Sequence, residues 1–127
     1  MPGGRRGESG PCRQRKRRGL RLILRPSLLL MLAEKEAHGY ELFEELTSLG
    51  FDPDCLDSSI LYRDLRDMEE MGLILSKWDD EDSKGPKRRV YRIQAAGMKR
   101  LGEWIVNLEN IQDQINQLTE RYQKTIQ

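Results

Sequence analysis

Seven apolar residues near the C-terminus, Leu101, Trp104, Leu108, Ile111, Ile115, Leu118 and Tyr122, recur at alternating steps of three and four. A repeat averaging 3.5 residues places them on one stripe of a single long helix, predicted over about residues 95–122. The remaining faces are mainly polar, with Glu, Asn, Gln and Lys. Such a helix needs a partner along its whole length. A chain of 127 residues, read as one domain with a modest core, has little left to cover it. The economical solution is a homodimer about a two-fold axis, with all seven residues in the dimer interface. Residues 95–127 are therefore read as a C-terminal dimerisation helix.

Charge is distributed unevenly upstream. The chain carries a formal net charge of +1, yet residues 1–25 hold nine Arg or Lys against Glu8 alone, and the rest holds 13 basic and 20 acidic residues. Residues 1–19, rich in Gly and Arg with Pro2 and Pro11, read as a flexible basic arm suited to a polyanion such as nucleic acid. A merely solubilising tail is the competing reading. The longest apolar run, 28–33, is far below the roughly 20 residues of a membrane span. Arg25-Pro26 and the acidic residues beyond argue against a secretory leader. Two cysteines, Cys12 and Cys55, cannot build a disulfide framework, which fits a reducing cytoplasm.

Residues 20–94 alternate helix patterns with breakers. Leu20, Leu22 and Leu24 alternate with Arg21, Ile23 and Arg25, a short strand or a helical lead-in. Pro26 suits a helix's first turn and "SLLLMLAEKE" continues it. Gly39 ends that helix, and a second follows to about Leu49. "GFDPDCLD" is a turn ending in an N-cap at Asp57 or Ser58, and "SSILYRDLRDMEE" is a third helix closed by Gly72. Two short strands, 73–78 and 89–93, flank a polar Gly-Pro turn. The expected fold is therefore mainly α with a small β-hairpin, a winged helix-turn-helix at 20–94 followed by the dimerisation helix.

In the third helix Leu61, Leu65 and Met68 form the inward stripe, leaving Ser59, Tyr62, Arg63 and Arg66 on the opposite face. Arginine reads guanine O6 and N7 bidentately, and hydroxyls suit phosphate or base contacts, so double-stranded DNA is the expected partner. Asp67 and Glu70 would repel phosphate, so only the N-terminal half should approach the groove. The plain alternative is a solvated helix with pairs such as Asp67 with Arg63. In the wing, Lys84, Lys87, Arg88 and Arg89 surround Gly85-Pro86 and suit phosphate contact. Intramolecular neutralisation by "DDED" (79–82) competes with that view.

"HGYEL" (38–42), "LYRDLRDMEEMGLI" (61–74), "SKW" (76–78) and "GPKRRVYRI" (85–93) with Gly97 four residues on resemble the PadR family of bacterial and archaeal transcriptional regulators. The resemblance is to its short members with one C-terminal helix and spans about residues 26–105. It implies a dimeric winged-helix repressor whose C-terminal helices pack together and can take a ligand. Carried over, Tyr62, Arg63 and Arg66 would contact DNA from the recognition helix, and Lys87 and Arg88 from the wing. Ser59 stands where the family often has Gly. Gln94 stands where it often has Ser or Thr, which removes an expected N-cap from the last helix. The arm is also longer and more basic than is usual.

His38 with Cys12 and Cys55 lacks metal-ligand spacing, and the plain reading is a histidine that caps or packs beside Tyr40. Nothing near Cys55 in sequence favours a redox switch. No nucleophile–base arrangement, phosphate loop or paired carboxylates suggest an enzyme, and no cofactor is expected. Trp104 at a seam position reads first as core. Paired across a two-fold axis it also makes a flat site for a planar aromatic effector, and some PadR members resemble this arrangement. The expectation is a cytoplasmic, sequence-specific, dimeric repressor released by such an effector. A winged-helix adaptor binding a protein through its coiled coil is the alternative.

Overall fold

The structure, a computed structural model, describes residues 17–79 and 88–127. Four helices and three strands follow in the order α1 (Arg17–Glu34), β1 (Ala37–His38), α2 (Gly39–Ser48), α3 (Ser58–Glu70), β2 (Ile74–Asp79), β3 (Arg88–Ile93) and α4 (Ala95–Ile126). This is the predicted winged helix: three helices, a hairpin and a long C-terminal helix.

α1 differs from its sequence reading. Pro26 lies inside the helix, not in its first turn. Proline there removes one backbone hydrogen bond and ordinarily breaks a helix. The apolar stripe explains the continuity, because Leu24, Leu28, Leu29, Met31 and Leu32 are all buried. Leu24 stands one turn before Leu28 on the same face, so ending the helix at Pro26 would lift Leu24 from the core. Burying a leucine side chain is worth roughly 1.5–3 kcal/mol, comparable to the proline's cost.

The hairpin gains a strand that the sequence did not reveal. β1 pairs antiparallel with β3 (Ala37 with Tyr91, His38 with Val90), and β2 pairs with β3 from Ile74–Ile93 to Asp79–Arg88. The sheet order is β1-β3-β2. Two residues carry no period, so β1 was invisible to pattern reading. Ile74, Ser76 and Trp78 share one face of the hairpin with Arg89, Tyr91 and Ile93, and this face meets α3.

Leu61, Leu65 and Met68 of α3 are fully buried against Leu42 and Leu46 of α2 and the α1 stripe. Gly72 ends α3 at φ 79°, the left-handed region open to glycine. There the Leu73 N–H donates to the Met68 carbonyl at 2.9 Å and the Gly72 N–H to the Glu69 carbonyl at 3.0 Å. α4 starts on Gln94, whose side chain makes no cap bond, and Gly97 packs so closely on the Leu73 carbonyl that a Cβ would collide with it. Beyond Leu101 the helix leaves the body. Trp104, Leu108 and Ile111 are half-buried, and Ile115, Leu118 and Tyr122 are exposed. Cys55 is buried and disulfide-bonded. Among the described residues no helix is long and apolar enough to cross a membrane.

Candidate nucleic-acid interface

The first turn of α3 is fixed by Asp57, whose carboxylate accepts from the Ile60 N–H at 3.0 Å and from the Ser59 hydroxyl at 2.6 Å. The Ser59 proton is thus taken by the cap, and its outward capacity is that of an acceptor. One turn on, the helix divides its charges. Arg25 of α1 reaches across to Asp64 at 3.0 Å and Asp67 at 3.1 Å, so the Asp67–Arg63 pair considered from sequence does not form. Among the described residues no carboxylate lies within 4.0 Å of the Arg63 or Arg66 guanidinium. Both arginines are exposed. Asp64 and Asp67 are drawn toward α1, and Arg63 and Arg66 face outward.

Between α3 and the sheet lies a concavity of about 720 Å³, lined by Tyr62, Arg66 and Glu69 of α3, Arg88, Arg89 and Tyr91 of β3, and the His38-Gly39-Tyr40 corner. Two of its guanidiniums are set by aromatic rings. Arg88 lies 4.8 Å from the Tyr40 ring centroid and donates to the Tyr40 hydroxyl at 3.1 Å. Arg89 lies 4.6 Å from the Trp78 ring and donates to the Ser76 hydroxyl at 2.7 Å. Ser76 in turn donates its N–H and hydroxyl to the Glu69 carboxylate at 3.1 and 2.9 Å. Arg89, Ser76 and Glu69 therefore tie the wing strands to α3. A Cβ on Gly39 would stand 2.5 Å from the Tyr62 ring, so that glycine lets Tyr62 lie against the start of α2.

His38 behaves as the plain reading held. Its ring stacks on Tyr40 at 5.5 Å, and its backbone N–H donates to Glu41 at 2.7 Å. Nδ1 lies 2.9 Å from Glu41 and Nε2 3.1 Å from Asp79 at the end of β2. The backbone N–H of His38, then its side chain, hold the Glu41 carboxyl below the usual carboxylate value of 4.5. Among the described residues no cluster of three His, Cys, Asp or Glu is placed to hold a metal ion.

Of the residues singled out in the sequence for DNA contact, the concavity gathers Tyr62, Arg66, Arg88 and Arg89. Ser59 and Arg63 lie on the same helix outside it, and Lys84 and Lys87 lie outside the described residues. Sequence reasoning passed over Tyr40, Glu69 and Tyr91 as site residues. The alternation of β3, with Arg89 and Tyr91 on one face, was the available clue.

The profile of the transcriptional regulator PadR-like family matches residues 28–103, more than half of the chain. The protein belongs to this family. Solved structures agree. A PadR-like regulator from Bacillus cereus is 28% identical, with 78% of this chain and 93% of that one covered at a TM-score of 0.68. A PadR family regulator from Eggerthella lenta is 32% identical over 82% and 85% of the two chains, at 0.66. A conserved protein of unknown function, described as a potential transcriptional factor, is 38% identical over 82% and 90%, at 0.71. No curated protein matches significantly. This PadR-like chain is thus a transcriptional regulator of the winged-helix type.

Proposed function

We propose that this PadR-like protein is a cytoplasmic homodimeric repressor that reads double-stranded DNA with α3 and takes no part in catalysis. The observation that carries the reading is the division of charge on α3. Arg25 draws Asp64 and Asp67 to one side, and Arg63 and Arg66 stand exposed beside Tyr62. Each protomer sets the N-terminal half of α3 into a major-groove half-site, with Tyr62, Arg63 and Arg66 at the bases or phosphates and Ser59 as an acceptor. The basic wing (Lys84, Lys87, Arg88) and the arm (1–19) add phosphate contacts. The body (20–94) is the DNA-binding domain and 95–127 is the dimerisation helix.

Dimerisation is supported by the exposed seam of α4, where Ile115, Leu118 and Tyr122 are 52%, 70% and 61% exposed in the single chain. Apolar residues kept in heptad register yet left uncovered call for a second chain. Trp104, half-buried at the base of the seam, and its symmetry mate would receive a planar aromatic effector whose binding favours a spacing of the two α3 helices unsuited to the operator.

Selecting bound sequences from random duplex and repeating the measurement with Arg66→Ala and Arg63→Ala tests the reading. Each change should cost roughly 1–3 kcal/mol of specific binding and relax one position per half-site. Parent-like binding by both variants would remove α3 from the groove. For the effector, Trp104→Leu should keep the dimer and DNA affinity while abolishing any ligand-induced release. A variant that dissociates instead makes Trp104 plain core.

A further inference from the structure

We propose that the concavity between α3 and β3 seats a phosphate group, with the Tyr91 hydroxyl as the hydrogen-bond donor on its floor. The assignment rests on the DNA reading above for the source of the phosphate, and goes beyond it in naming a seat and a donor on neither the recognition helix nor the wing tip.

Tyr91 is 6% exposed and part of the core, yet its ring lines the concavity. Its hydroxyl meets no partner among the described residues. No buried side-chain nitrogen or oxygen there lacks one either, so the hydroxyl opens on the concavity. The hydroxyl is thus the polar end of a side chain otherwise packed in the core, placed where a ligand in the concavity can accept from it.

The surrounding charge says what enters. Arg66, Arg88 and Arg89 converge on the concavity, against Glu69 as its one lining carboxylate. Glu69 is already engaged by Ser76. Tyr40 and Trp78 hold Arg88 and Arg89 in place, and each guanidinium, with one N–H bonded, keeps others for a ligand. Gly39, at the positive end of the ten-residue helix α2, stands on the rim. The carboxylates beyond the rim, Glu41 and Asp79, are held by His38. Fixed cations around an uncharged donor suit an oxyanion.

A backbone phosphodiester and a free nucleotide share this chemistry, and binding measurements separate them. Full-length Tyr91→Phe, which deletes one oxygen, should bind selected and scrambled duplex alike roughly ten- to a hundredfold more weakly than the parent, with its base preference intact. Replacing operator phosphates one at a time by neutral methylphosphonate should weaken parent binding at one position per half-site. The same replacement should cost less in Tyr91→Phe than in the parent, because only the arginines remain to sense it, and the parent arm needs no altered protein.

Parent-like binding by Tyr91→Phe alongside weakened Arg66→Ala overturns the seat and leaves the DNA reading standing. So does a methylphosphonate scan with no sensitive position. If no duplex binds but ATP or inorganic phosphate shifts the Tyr91 ring resonances, the seat holds for free phosphate and the DNA reading fails. If neither duplex nor phosphate does anything, both fail.

Discussion

α3 and α4 carry the same kind of apolar stripe and meet opposite fates. Leu61, Leu65 and Met68 are fully buried, whereas Leu118 on the distal half of α4 remains 70% exposed. Both stripes are written at helical spacing, so periodicity says that a face will be covered without saying by what. α3 lies in the middle of the chain, with α1 and α2 before it and the sheet after it, and its leucines find partners at once. α4 is a 32-residue helix about 48 Å long, far longer than the body it leaves. Its first buried residues, Gly97 and Leu101, dock on that body, and the rest of the stripe outruns it.

The largest effect that could break this contrast lies in the α4 seam. Ile111→Asp combined with Leu118→Asp should leave the thermal transition of the body nearly intact but convert the protein to a monomer in sedimentation. An unpaired carboxylate in an apolar seam costs several kcal/mol. A protein still dimeric would place its interface elsewhere. Next, Leu65→Ala should lower stability by about 2–5 kcal/mol in denaturant titration. If α3 is packed within one chain, that loss should not depend on protein concentration.

A smaller effect is expected at the charge divide of α3. Arg25→Ala should cost about 1 kcal/mol of stability, since the pair is partly exposed. It should also weaken DNA binding, because Asp64 and Asp67 would no longer be neutralised beside the phosphates. DNA binding equal to the parent's would show that the divide serves stability alone.

The smallest effects concern pH. Glu41 has a depressed carboxyl in the folded protein, so its contribution is present above about 4.5, its ordinary value, and is lost as pH falls through the depressed one. Glu41→Gln should flatten the acid side of the stability curve slightly. Tyr91 shifts the other way, raised above the usual 10.0 chiefly by burial and next by Tyr62. Its contribution is present below that value and fades as pH rises through the raised one. Tyr91→Phe should remove this alkaline loss in thermal melts, and a melt that keeps it would show that another group is responsible.

The sequence alone determined the order of the helices and the hairpin, and the two amphipathic helices. Leu61, Leu65 and Met68 define their face by spacing, Asp57 can cap α3, and Gly72 alone suits its left-handed end. These are local facts, decided within a few residues, and so was the exposure of Arg63 and Arg66 opposite the leucines. What joins distant segments was left to the tertiary structure. Pro26 looked like a helix start because the cost of a proline is local, while the burial of Leu24 that offsets it depends on α2 and α3. In the alternative weighed from sequence, Asp67 would pair with Arg63 one turn away. It instead meets Arg25, 42 residues earlier, because packing brings α1 alongside. Tyr91 was not singled out in the sequence, and only the placing of β3 against α3 brings it into one concavity with Arg66, Arg88 and Arg89.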